Sequence, residues 1–152
     1  MTNEHRSAFG KLFAELYRGN IAATSLSFSL LEFLHLWDDI VDKDFDKVGD
    51  PSKIFVDLLT SVAGNPLWDM HIQGCVISCY YRWHAANVFE KDKTSTDDRL
   101  AKAWMLRASC YDLFLMIAGK LYGQDWARQC APMVYDFYGE KLEDFLAEVK
   151  NA

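Results

Sequence analysis

The chain has 152 residues, with 16 Lys and Arg against 22 Asp and Glu for a formal net charge of −6, and 51% apolar residues. That is the length of one domain with a sizeable core and an ordinary globular composition, which excludes intrinsic disorder. The acidic balance excludes the clustered Lys and Arg of a nucleic-acid footprint, and no apolar run approaches the ~20 residues of a membrane span. The N-terminal Met-Thr-Asn-Glu-His-Arg-Ser has no apolar stretch of a secretory signal, so a cytoplasmic chain with neither nucleic-acid nor membrane partner is expected.

Eight glycines and three prolines are few for this length and favour long helices. The first helical segment runs from about Asn3 to Arg18, with Phe9, Leu12, Phe13, Leu16 and Tyr17 on one face. Gly19 closes it and Asn20 caps the second, about Ile21 to Lys43. Gly49-Asp50-Pro51 stops that segment and starts a short third, Pro51 to Ala63, and Gly64-Asn65-Pro66 repeats the pattern. The fourth runs to Lys91 and is apolar almost all round, which reads as a central helix. The polar Asp92 to Thr96 is a loop, with Ser95 or Thr96 capping a fifth helix that ends near Leu121. Gly123 precedes a sixth, about Gln124 to Lys150, kinked at Pro132. Together these predict an all-α fold: a single helical domain over 1–152, an antiparallel bundle of about six helices, four of them long.

The second segment carries the strongest chemical signal. At 100° per residue Leu26, Leu30, Phe33, Trp37 and Ile40 share one face, while Glu32, His35, Asp38, Asp39 and Asp42 share the other. Acids one turn apart repel by ~0.2–0.5 kcal/mol per pair, which a divalent cation or a basic partner would offset. Asp38 and Asp42 can reach one Mg²⁺, with Asp39 holding a second ion or a water. The alternative is a solvated acidic face.

Leu36-Trp37-Asp38-Asp39-Ile40-Val41-Asp42 contains D-D-x-x-D, which resembles the first aspartate-rich motif of class I isoprenoid synthases, all-α enzymes that hold Mg²⁺-diphosphate between helices. The resemblance implies metal-ligand roles for Asp38 and Asp42, with Asp39 beside them. In size and layout the chain is more similar to the all-α nucleotide pyrophosphatases of the MazG and dimeric dUTPase type. Their acidic clusters on two helices correspond to Asp38-Asp39-x-x-Asp42 and Asn87-x-x-Glu90 here.

Arg107 lies on the apolar side of the fifth segment, away from Asp98, Lys102, Ser109, Asp112 and Lys120, and so needs a partner, for which the Asp38/Asp39/Asp42 row is the expected one. Polar residues also line the fourth helix at Asp69, Gln73, Tyr80, His84, Asn87 and Lys91, as a hydrogen-bond network or a site wall. Cys75, Cys79, Cys110 and Cys130 form no C-x-x-C pair and no zinc spacing, and read as buried free thiols without a basic neighbour.

Two functions are compatible with these residues. One is a non-catalytic interaction or structural module that self-associates, as a homodimer, through aromatic faces that include Tyr135, Phe137, Tyr138 and Phe145. The other is a Mg²⁺-dependent hydrolase or transferase of a small diphosphate ligand. In it Asp38, Asp39 and Asp42 hold metal, Glu90 adds a ligand or activates water, and Arg107 stabilises phosphate charge.

Overall fold

A computed structural model describes residues 3–43, 52, 55–56 and 58–151, with no strand among them. The helices are α1 (Asn3–Leu16), α2 (Ile21–Val41), a π-helical turn (Leu58–Val62), α3 (Met70–Lys91), α4 (Asp97–Arg107), α5 (Cys110–Tyr122), α6 (Gln124–Asp136) and α7 (Leu142–Asn151). The all-α class expected from the sequence is the observed one. No helix among the described residues is long and apolar enough to cross a membrane. Packing divides the chain into two compact units, residues 1–69 and 70–152.

In the first unit α1 and α2 form a hairpin. Arg18 and Gly19 take left-handed angles (φ 49° and 75°), and the Asn20 side chain accepts from the Ala23 N–H at 3.0 Å, so the expected stop and cap are both in place. Phe13, Leu16, Tyr17, Leu26 and Leu30 are all but fully buried between the helices. The burial includes one polar pair, Tyr17 and Ser27, whose hydroxyls lie 2.7 Å apart. Phe28 meets Phe13 edge-on, and Arg6, ion-paired with Glu32, lies over the Phe28 ring. The Asn65 side chain donates to the Ala22 carbonyl at 2.9 Å and ties the following turn back to the start of α2. The apolar face of α2 fades toward its end, for Phe33 and Trp37 are half-buried and Ile40 is exposed. Of the expected third helix, Pro51–Ala63, part lies outside the described residues; Ser52, Phe55 and Val56 are helical.

In the second unit α3 packs on α4 and α5, α5 on α6, and α4 on α7. Ala86, Leu100, Ala103 and Phe145 form a core bordered by Phe89, Trp104 and Leu146. The small Ala86 and Ala103 let α3 and α4 approach closely. The α3–α4 loop is held by Asp92, which accepts from Thr94 N–H and Oγ1 and pairs with Arg99 at 2.7 Å, while Thr96 is the N-cap.

Two expected long helices are divided. The fifth segment becomes α4 and α5, joined by a tightened turn in which Ala108 and Ser109 keep right-handed angles but the hydrogen bonds shift to the i→i−3 pattern. Neither Gly nor Pro marks it. Ser109, expected on the solvent side, is buried there, and its carbonyl accepts from Cys79 Sγ at 3.1 Å. The sixth segment stops at Asp136 and resumes at Leu142; the interruption centres on Gly139 (φ 71°), while the exposed Pro132 stays inside α6.

The Tyr17–Ser27 pair predicts a measurable loss in Tyr17→Phe. The substitution keeps the ring packing but leaves the Ser27 hydroxyl unsatisfied in a dry site, a cost of about 1–3 kcal/mol. Urea unfolding followed by circular dichroism reads it as a lower midpoint with an unchanged slope.

Candidate functional site

The acidic row sits on the last turn of α2. Asp38 and Asp39 are half-buried and Asp42 is exposed at the C-cap, its N–H donating to the Asp38 carbonyl at 2.9 Å. This is the negative end of the helix dipole, and no basic residue lies in that turn, so the three carboxylates add to the unfavourable field there. Among the described residues no three His, Cys, Asp or Glu side chains come together to hold a metal ion.

Glu90 and Arg107, the two candidate catalytic residues, are brought together instead. Arg107 on α4 donates from Nη1 to Glu90 Oε2 on α3 at 2.7 Å, with 14% of the Glu90 side chain and 31% of the Arg107 side chain exposed. The partner expected for Arg107 was the Asp38/Asp39/Asp42 row. Glu90 supplies the counter-charge because α3 and α4 pack directly, and the two long side chains meet between them. Tyr138 is within the field of Arg107; burial first and its hydrogen bond to Glu140 second push its hydroxyl up. Asn87, expected beside Glu90 as half of an ion site, is buried with Nδ2 unpartnered. An amide donor so placed carries a desolvation cost of about 1–3 kcal/mol.

The most site-like place in the second unit is a cleft of about 430 Å³ between α3 and α5, lined by His71, Cys75, Cys79, Arg82, Asp112 and Met116, among others. A second cleft of about 240 Å³ lies on the other side of Arg82 and Asp112 and includes Tyr135. Arg82 and Asp112 form an ion pair, and Tyr135 donates to the same carboxylate. Burial and that donation both push the Tyr135 hydroxyl up, so it stays a donor.

Within the larger cleft Cys75 lies one helical turn before Cys79 on α3. The neighbouring Cys79 holds the Cys75 thiol below its usual range against burial and the Asp112 carboxylate, with Arg82 a smaller help. Cys79 itself is pushed up, by its Cys75 neighbour first and by burial second. The sequence reading found no basic neighbour for the cysteines. The neighbour is Arg82, seven residues after Cys75 and thus two turns along the same face, a spacing that local motif patterns do not sample.

Compared with protein-family models, curated proteins and solved structures, the chain matches none of them.

Two measurements follow from these placements. Arg107→Met leaves Glu90 without its counter-charge and lowers stability by about 2 kcal/mol, less than for a fully dry pair because Arg107 keeps part of its side chain in water; the double variant with Glu90→Gln recovers part of the loss. With no metal grouping among the described residues, Mg²⁺ at about 5 mM leaves the melting midpoint unchanged. A rise of several degrees that disappears in Asp38→Ala would instead establish ion binding by the row.

Proposed function

We propose that this protein is a non-catalytic helical interaction module that self-associates as a homodimer through α3. The observation that carries the reading is an exposed stripe on that helix. Met70, Gly74, Ile77, Tyr81 and Val88, with the half-buried His84 between the last two, follow one another at spacings of four and three, the seam of a heptad pattern. Met70 is 77% exposed, Ile77 48%, Tyr81 67% and Val88 63%. On a helical projection the stripe lies roughly opposite Ile72, Cys79 and Ala86, the buried residues of α3 that face its own unit.

A second copy is the occupant that suits it. Covering those four side chains in both copies removes on the order of 1,000 Å² from water, about the size at which a contact becomes a specific interface. A helix of α3's length presents the stripe over ~30 Å, enough for three heptad layers. Gly74 leaves room for a partner side chain, since a Cβ placed there meets nothing within 4 Å. The aromatics first expected to dimerise are in part spent elsewhere. Phe145 is core and Phe137 and Tyr138 are half-buried, whereas α3 keeps four large apolar side chains of one stripe in water.

Light scattering at micromolar concentration is expected to give twice the 17.5 kDa chain mass. Ile77→Lys with Tyr81→Lys places two charges on an exposed seam without touching the core. The variant is expected to be a monomer with an unchanged helical spectrum. A wild-type protein that runs at the monomer mass would end the proposal.

A further inference from the structure

Granted the self-association proposed above, on which this inference rests, the seam on α3 also decides the direction of the pair. In a two-fold dimer the two helices run parallel, each residue facing its own counterpart, or antiparallel about an axis that crosses the seam. The exposed Met70, Gly74, Ile77, Tyr81 and Val88 and the half-buried His84 lie symmetrically about the level of Cys79. Turned end for end about that level, Met70 faces Val88, Gly74 faces His84 and Ile77 faces Tyr81.

Every heptad seam can be turned in this way; the side-chain sizes distinguish this one. Each antiparallel layer sets a larger side chain against a smaller one, which is how facing positions fill space evenly. Parallel pairing instead sets Gly74 on Gly74 and, two layers on, Tyr81 on Tyr81. One layer is then empty and another crowded within ~10 Å along the helix, and an interface packed to protein density accommodates neither. The layer of Gly74 and His84 is the most specific. Gly74 is exposed, and a Cβ placed on it meets nothing within 4 Å, so the helix surface is hollow there. The His84 ring is already held, edge-on to Tyr80 and to Trp83 with ring centroids 4.3 Å and 5.0 Å away. A side chain ordered before association loses little further freedom on docking. Antiparallel pairing also opposes the two helix dipoles, whereas parallel pairing brings like ends together.

We propose that the two α3 helices pair antiparallel about a two-fold axis at the level of Cys79, with the partner's His84 seated over Gly74. Met70 and Gly74 also line the cleft of about 430 Å³, so the partner's Val88 and the partner's His84 bound it on that side.

The test uses two full-length variants, Met70→Cys and Val88→Cys, each first shown by light scattering to be a dimer. They are mixed, left to exchange and treated with a short bismaleimide, and peptide mass mapping assigns the cross-links. A link from position 70 to position 88 is expected in the mixture, with no link between like positions, which lie ~27 Å apart in an antiparallel pair. Links of 70 to 70 and 88 to 88 would overturn the antiparallel arrangement and leave self-association through α3 standing. A dimer with no link at either position would end both, as would a wild-type protein at the monomer mass. Gly74→Leu reads the central layer directly. The variant is expected to fold as the wild type does, because its Cβ enters open space and leucine favours a helix over glycine. It is expected to weaken the dimer about tenfold or more by displacing the partner's His84, and adding His84→Ala is expected to recover most of that loss. In a parallel pair the same leucine would fill the empty layer. A Gly74→Leu dimer as tight as the wild type, or tighter, would therefore overturn the proposal.

Discussion

A helix that is apolar on nearly every side asks for more cover than one small unit supplies, and α3 is such a helix. Its buried side, with Ile72, Cys79 and Ala86, is covered by α4 and α5. Leaving the opposite side in water forgoes about 25 cal/mol for each Å² of apolar surface. The second unit is arranged around that imbalance. The helices α4 and α5 are short and set at a tightened turn, so that they follow the covered side of α3 from Ala86 back to Cys79. What they leave uncovered is the Met70-to-Val88 seam.

The charged groups follow the same axis. Arg107 reaches from α4 to Glu90, and Arg82 reaches from α3 to Asp112 on α5, so each of the two helices packed on α3 is joined to it by one guanidinium–carboxylate pair. Neither pair is dry, and each contributes less to stability than to register. Their effect is positional. The Arg82–Asp112 pair lies in the lining of both clefts. The Glu90–Arg107 pair ties the end of α3 to α4.

The tightened turn at Ala108 and Ser109 also joins α5 to α3. The Ser109 carbonyl accepts from the Asp112 N–H at 3.1 Å in the i→i−3 pattern and, from the α3 side, from Cys79 Sγ at 3.1 Å.

The helical class, the Gly19–Asn20 turn, a cap at Ser95 or Thr96 and the Gly123 boundary were all legible in the sequence, because each depends on backbone angles and caps set within four residues. The same holds for the burial of Phe13, Leu16 and Tyr17, where a 3.6-residue period marks one face. The division of the last two long segments was not legible: the first break has no Gly or Pro, and the Pro132 that invited a kink lies before the true one. The site was less legible still. Asp38, Asp39 and Asp42 stood out because they are adjacent in the chain, but adjacency places charges on one helix face without bringing ligands from other elements. Arg107 plainly needed a carboxylate, and only the packing of α3 on α4 decided that it was Glu90. For α3 the periodic signal itself failed, since a helix apolar all round gives no contrast between faces. Which side met α4 and α5, and which stayed in water with its heptad seam, was decided by the tertiary structure, because burial is a property of what packs against a helix and not of the helix alone.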